Sequence, residues 1–315
     1  MMVMAVWSAR DFTIFAKATA SNVLARFAPA LYVRLTRQTG RGRDDIDAEA
    51  IADYFFRCVD DYRQQLGLDD DGLQNLLRGT RVLEYGPGDV LGVALILYAY
   101  GAESVRCVDR FPLERTTERN LAVYERILTR LSGEALQRAG SAFRTSLKPE
   151  SGFRPECVSY SVTPDGLARG EHAYDLIISR AVLEHVNCLE KTIGDVRASL
   201  KPDGVSVHNV DLKSHNLDRI QPFDFLAWPE WAYRLMYSHK GFPNRHRIDR
   251  YRHACESAAL RIITLAPTGL LSLEDVVLLQ PRLARPFRRL SAEGLRWMGF
   301  WIVLRPGTKR ELPPT

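Results

Sequence analysis

The chain has little cysteine and none in paired spacing: Cys58, Cys107, Cys157, Cys188 and Cys255 are scattered through 315 residues and odd in number. That argues against a disulfide framework or a clustered zinc site and fits a reduced, cytoplasmic chain. No apolar run reaches the roughly 20 residues that a membrane-spanning helix needs. The best, Val90 to Tyr100, follows directly on a glycine turn. Internal repeats and low-complexity segments are missing. The start lacks the compact order of charge, apolar stretch and small residues of a cleaved signal, because Asp11 and Lys17 fall inside its apolar part. Otherwise 46% hydrophobic and 26% charged residues are ordinary for a folded chain able to bury a full core.

The net charge of +5 is unevenly placed. Up to Arg43 there are Arg10, Lys17, Arg26, Arg34, Arg37, Arg41 and Arg43 against Asp11 alone, so the excess belongs to this first segment. Within it Val23, Leu24, Phe27, Ala28, Leu31, Tyr32 and Leu35 recur at helical spacing, and Pro29 should start or kink a helix. A basic amphipathic segment of this kind either packs on the body with a solvated basic face or lies on an anionic membrane surface. A second helix is expected over Asp44 to Gly67, followed by a linker through Asp69, Asp70, Asp71 and Gly72.

The stretch around which the chain is organised is Val82-Leu83-Glu84-Tyr85-Gly86-Pro87-Gly88-Asp89-Val90-Leu91-Gly92. It reads as strand, tight turn and helix. Gly86 and Gly88 permit positive φ and let a ligand approach bare backbone at a helix N-terminus. A dinucleotide fingerprint would place its third glycine one residue earlier than Gly92, which counts against a nicotinamide cofactor. Asp109 ends the next strand about twenty residues on, the distance at which a carboxylate can accept from ribose hydroxyls. From Arg81 onward strands and helices alternate, the pattern of an open, mostly parallel sheet.

This stretch resembles motif I of the class I S-adenosylmethionine-dependent methyltransferases, with an acidic residue two positions before the first glycine. Further landmarks follow in order: Asp109, the Asp175-Leu176-Ile177-Ile178 strand, Leu183-Glu184-His185-Val186, and Lys201-Pro202-Asp203-Gly204, where Asp203 replaces a usual glycine. The resemblance implies an α/β, three-layer Rossmann-like fold with a mostly parallel seven-stranded sheet, its last strand inserted antiparallel between the fifth and sixth. A helical extension over residues 1–78 would precede a methyltransferase domain over 79–308 and a loose tail over 309–315. An aromatic-rich insert would follow strand five. The implied cofactor is S-adenosyl-L-methionine, with Glu84, Tyr85, Gly86, Pro87 and Gly88 at the turn, Asp109 on the ribose beside Arg110, Asp165 near the adenine, and Ser179 and Arg180 after strand four. Turn chemistry explains Asp165 equally well.

Methyl transfer from a sulfonium needs alignment, exclusion of water and, for a hydroxyl acceptor, removal of a proton. His208 and His215 are candidate bases and Asp211 the group that orients them, with His185 a third choice. A divalent metal on His208, Asp211 and His215 is the rival reading, but their spacing matches no tight ligand motif. Nucleic acid is disfavoured as acceptor, since Ser179-Arg180-Ala181 stands where exocyclic-amine enzymes carry Asp/Asn-Pro-Pro-aromatic, and no cysteine follows a proline. Phe223, Phe225, Trp228, Trp231, Tyr233, Tyr237 and Phe242 suggest an acceptor wall or lid. With Arg245 and Arg247 they favour a saccharide or other hydroxylated small molecule. The non-enzyme alternative is a cofactor-binding or membrane-peripheral scaffold.

Overall fold

The structure, a computed structural model, describes residues 7–36, 39–40, 47–214, 224–240 and 244–307. The chain begins with α1 (Ala9–Phe27), α2 (Pro29–Thr36), α3 (Ala48–Gln65) and α4 (Asp70–Leu77). A capping box starts α1: the Ser8 hydroxyl accepts from the Asp11 N–H, while the Asp11 carboxylate accepts from the Ser8 N–H at 2.7 Å. Pro29 opens α2, where its missing N–H costs nothing. The acidic stretch expected as a linker is helical instead. Asp69 caps it through the Gly72 N–H at 2.7 Å, and Leu73 and Leu77 are buried.

The α/β body runs β1 (Arg81–Tyr85), α5 (Gly92–Ala99), β2 (Ser104–Asp109), α6 (Glu118–Arg130), α7 (Gly133–Ser141), β3 (Val158–Val162), β4 (Tyr174–Arg180), α8 (Leu189–Ser199) and β5 (Leu200–Asp211). It closes with α9 (Glu230–Tyr237), α10 (Ile248–Ser257), β6 (Leu260–Leu270), α11 (Leu273–Leu279), α12 (Ala292–Leu295) and β7 (Trp297–Pro306). The seven strands form one sheet ordered β3-β2-β1-β4-β5-β7-β6. Pairing is parallel up to β5, and β7 lies antiparallel between β5 and β6. The carboxyl ends of β1, β2, β4 and β5 therefore share one edge, where ligands bind in open sheets of this kind.

Alternating side chains send each strand's residues to two different cores. Val82, Val105, Leu176 and Val207 pack with α3, α5, α6 and α7 on one face. Leu83, Ile177 and Val210 pack with α8 and α10 on the other. A third cluster, outside the sheet, joins Ala18 of α1 to Phe225, Trp228, Tyr233, Met236, Val276 and Phe287. The expected 1–78 extension is thus divided: α3 and α4 belong to the core of the first face, whereas α1 joins this cap. Asn22 latches it, donating to the Leu235 carbonyl at 2.9 Å and accepting from the N–H groups of His239 and Lys240. The 309–315 tail lies outside the described residues.

Gly92, the glycine that arrives late for a dinucleotide fingerprint, has a packing reason. A Cβ there would sit 2.2 Å from Cδ2 of Phe55, so its absence lets α3 lie directly on α5. Gly194, within α8, faces open space. Gly92→Ala should therefore destabilise by about 1–3 kcal/mol through overpacking, while Gly194→Ala should stabilise by about 0.4–1 kcal/mol through helix propensity and the unfolded chain. Urea unfolding of the two variants checks the opposite signs.

Candidate active site

β1 delivers Glu84 and Tyr85 into a turn whose glycines take φ of 64° at Gly86 and 81° at Gly88. Both also admit close neighbours. A Cβ on Gly86 would lie 2.4 Å from a Val182 methyl, and one on Gly88 2.7 Å from the Thr39 carbonyl oxygen. The turn is tied by the Gly86 N–H to the Val108 carbonyl at 2.8 Å and by the Asp89 N–H to the Thr39 carbonyl at 3.1 Å. Backbone after α2 and side chain after β4 thus meet over the glycines.

Glu84 and Asp109 have the parity of the α3-side core, and both carboxyls are desolvated. Burial pushes Glu84 from 4.5 up to about 8; the Cys107 thiol, 3.6 Å from its Oε2, opposes the shift and the Asp109 charge adds to it. No lysine or arginine among the described residues offsets that burial. Asp109 is raised to about 6 by burial, opposed by backbone N–H groups. Those of Arg110 and Phe111 donate to its Oδ1 at 2.6 and 3.2 Å, and that of Gly88 also faces the carboxylate. Asp109 therefore sits on the glycine turn. Arg110 reaches from β2 to Asn187, beyond β4, at 2.7 Å and lies over the Phe111 ring.

The other expected cofactor residues are distributed by strand parity. Tyr85 turns to the far face, where its hydroxyl donates to Asp195 on α8 at 2.6 Å, and Pro87 is buried in the turn. Ser179 faces the same way as Tyr85 and bonds His208 Nδ1 at 2.7 Å. Arg180 points to the α3 side, pairs with Asp61 at 2.6 Å and lies between the rings of Tyr54 and Trp301. Asp165 is exposed, with one oxygen bound by Arg169 at 2.6 Å and the other accepting from the Leu167 N–H, which is turn chemistry.

The acceptor side departs further from expectation. β5 extends to Asp211, so positions 208 and 211 stand three apart on one strand and face opposite sides. His208 has no exposed surface and burial drops it to about 3. It is a neutral core histidine and cannot share an ion or an acceptor with Asp211. His215 lies outside the described residues. Asp211 is one-third exposed, and its N–H donates to Glu184 Oε1 at 3.3 Å. Glu184 is fully buried, held well above the carboxylate range by desolvation, and 3.9 Å from the half-buried His185 imidazole. Sequence reasoning left Glu184 out; the signal was a carboxylate framed by Leu183 and Val186. Ala181, at φ 53°, is the non-glycine bend that swings this group over the sheet edge.

Among the described residues the aromatic insert is mostly buried, with Trp231 exposed. Phe225, Trp228, Tyr233 and Tyr237 are buried in the cap, while Phe223 and Phe242 lie outside the described residues. Arg245 is buried against the Tyr233 and Phe287 rings and pairs with Glu230; Arg247 donates to the carbonyls of Leu212, Leu295 and Trp297. Neither arginine is left for an anionic acceptor. Asn244 donates to the Leu183 carbonyl at 2.7 Å and ties the cap exit to the loop after β4.

A methyltransferase-domain family model matches residues 52–265. The chain belongs to this family. Similar solved structures include a putative S-adenosylmethionine-dependent methyltransferase from Listeria monocytogenes, at 14% identity over 75% of this chain and 96% of that one, with a TM-score of 0.41. A putative sarcosine dimethylglycine methyltransferase from Galdieria sulphuraria gives 13% over 80% and 86%, TM-score 0.45. A geranyl diphosphate C-methyltransferase from Streptomyces coelicolor A3(2) gives 12% over 75% and 76%, TM-score 0.40. No curated protein matches. The family cofactor, S-adenosyl-L-methionine, is a cation with a ribose diol, and the donor set of this methyltransferase suits it: two desolvated carboxyls, with no lysine or arginine among the described residues offsetting Glu84, beside a glycine turn in which Gly86 is half-buried.

Because the folded-state values of Glu84 and Asp109 are raised, the unliganded protein binds more protons folded than unfolded between their two values, and stability is lost as pH rises through that window. Thermal unfolding midpoints should fall between about pH 5 and pH 9. Glu84→Gln should flatten the upper part of that decline. An unchanged slope in the variant means that Glu84 does not carry it.

Proposed function

We propose that this methyltransferase transfers the methyl group of S-adenosyl-L-methionine to a hydroxyl of a small molecule. The observation that carries the cofactor reading is the pair of desolvated carboxyls, Glu84 and Asp109, at the Gly86–Gly88 turn. Ionised Glu84 offsets the cationic charge of the donor, so binding draws its proton off. Asp109, already oriented by three backbone N–H groups, accepts from the ribose hydroxyls. Arg110 closes the edge of β2 against the loop after β4. When bound, the cofactor supplies an electrophilic methyl group that needs no covalent help from the protein.

Glu184, His185 and Asp211, gathered at the carboxyl ends of β4 and β5, support a hydroxyl acceptor. His185 takes the acceptor proton, with the buried Glu184 carboxyl 3.9 Å from its imidazole. Asp211 holds or orients the acceptor. A saccharide remains within this class, though with Arg245, Arg247 and the aromatics engaged in the cap it rests on the hydroxyl alone.

Calorimetry with S-adenosyl-L-methionine and S-adenosyl-L-homocysteine tests the reading. Binding should tighten as pH rises through about 8 and release a proton, seen by changing the buffer's ionisation enthalpy. Asp109→Ala should weaken it roughly tenfold or more through lost charge-assisted bonds. His185→Gln should leave cofactor affinity intact and lower turnover about a hundredfold. Neither ligand binding rejects the proposal, and cofactor binding with no labelled product from cell extract favours the non-catalytic module.

A further inference from the structure

We propose that the solvent face of α1 and α2 docks in the plane of an anionic lipid surface. This goes beyond the methyl-transfer reading and stands on different residues. In α1 the side chains packed on the cap are Asp11, Ala18, Asn22 and Ala25. The face directly opposite is formed by Ala9, Phe12, Ala16, Ala20, Val23 and Phe27, spaced by three and four residues and all exposed. Phe12 is 59% exposed, Val23 51% and Phe27 74%, on the one side of the helix where a water-facing helix carries its charges. α2 continues the surface through Leu31 and Leu35, 43% and 63% exposed. From α9, Trp231, 58% exposed, stacks on Trp7, which in turn touches Phe12. Tryptophan at the rim of such a surface suits the headgroup level, where one ring edge is wet and the rest is not.

Charge selects the occupant. Arg10 and Lys17 border the apolar face of α1 on one side and Arg26 on the other, and Arg34 stands beside Leu35; all are exposed. The only acidic residue in α1 and α2 is Asp11, buried and committed to the capping box. A two-fold pairing of two copies through this face would set like-charged borders against each other, whereas an anionic bilayer complements both.

The docked helices lead into the cofactor turn. Tyr32 and Val33 of α2 pack on Phe111 and Leu113, just after Asp109, and the chain returns to place Thr39 on Gly88. The lipid surface thus holds the segment that covers Gly88.

Cosedimentation of the full chain with phosphatidylcholine vesicles, with and without phosphatidylglycerol, is the test. The protein should bind the anionic vesicles, at least fivefold more weakly to the neutral ones, with binding falling as salt rises. The triple variant Phe12→Glu/Val23→Glu/Phe27→Glu should lose about tenfold or more. Arg26→Glu/Arg34→Glu should lose at least about fivefold. All three apolar positions are exposed, so circular dichroism melting and cofactor binding should match the parent. No binding of the parent to anionic vesicles, or equal binding by the triple variant, overturns the proposal. So does a parent dimer in light scattering that the triple variant converts to monomer without any vesicle binding by the parent.

Discussion

Burying the Glu84 and Asp109 carboxyls at the carboxyl ends of two adjacent strands costs folding free energy that no basic side chain among the described residues returns to Glu84. The surrounding structure is arranged around that cost. The sheet sets the two groups on one face, the glycine turn brings backbone N–H groups to Asp109, and α3 seals the site with Phe55, Tyr62 and the Asp61–Arg180 pair. A site that is unfavourable without a cation is one whose binding free energy includes relief of that burden. Close approach at the turn has its own requirement, because only backbone without Cβ lets Val182 pack on Gly86 and the Thr39 carbonyl on Gly88.

The cap shows where polar and aromatic side chains go when a polar insert must support itself. Sheet contacts cannot bury Trp228 and Tyr233, so they form a separate core with α1 and α11, and Arg245 is sandwiched between rings to complete it. Arg247 satisfies three carbonyls that the irregular backbone leaves without partners. Residues whose types suit an acceptor therefore hold the lid together. The proposed acceptor chemistry accordingly rests on the smaller group of Glu184, His185 and Asp211.

The legible part of this chain was the part written in local pattern. Strand alternation, the glycine turn and the regular return of apolar segments marked an open, mostly parallel sheet, the resemblance supplied its seven strands, and Pro29 marked the start of α2. Asp109 could be placed by chain distance, since a βαβ unit of ordinary length brings the end of its second strand beside the turn after its first. Two features escaped local pattern. His208 and Asp211 read as one group only until the strand is seen to run through both, which fixes their parity and separates them. The acidic run before Gly72 resembled a linker because aspartate is common in turns, yet Asp69 serves as a helix cap there.

By itself the sequence determined that a glycine turn between an apolar strand and an apolar helix would stand at the head of an open α/β sheet, with carboxylates at 84 and 109 on either side. Those outcomes rest on backbone freedom, side-chain period and chain distance, all of which are local. Only the tertiary structure decided that His208 is core, that Arg245 and Arg247 are struts, that Glu184 stands behind His185, and that the solvent side of α1 is apolar. Each of these depends on which face of an element meets which neighbour, and that is set by packing between distant segments, 213 residues apart for Asn22 on Leu235.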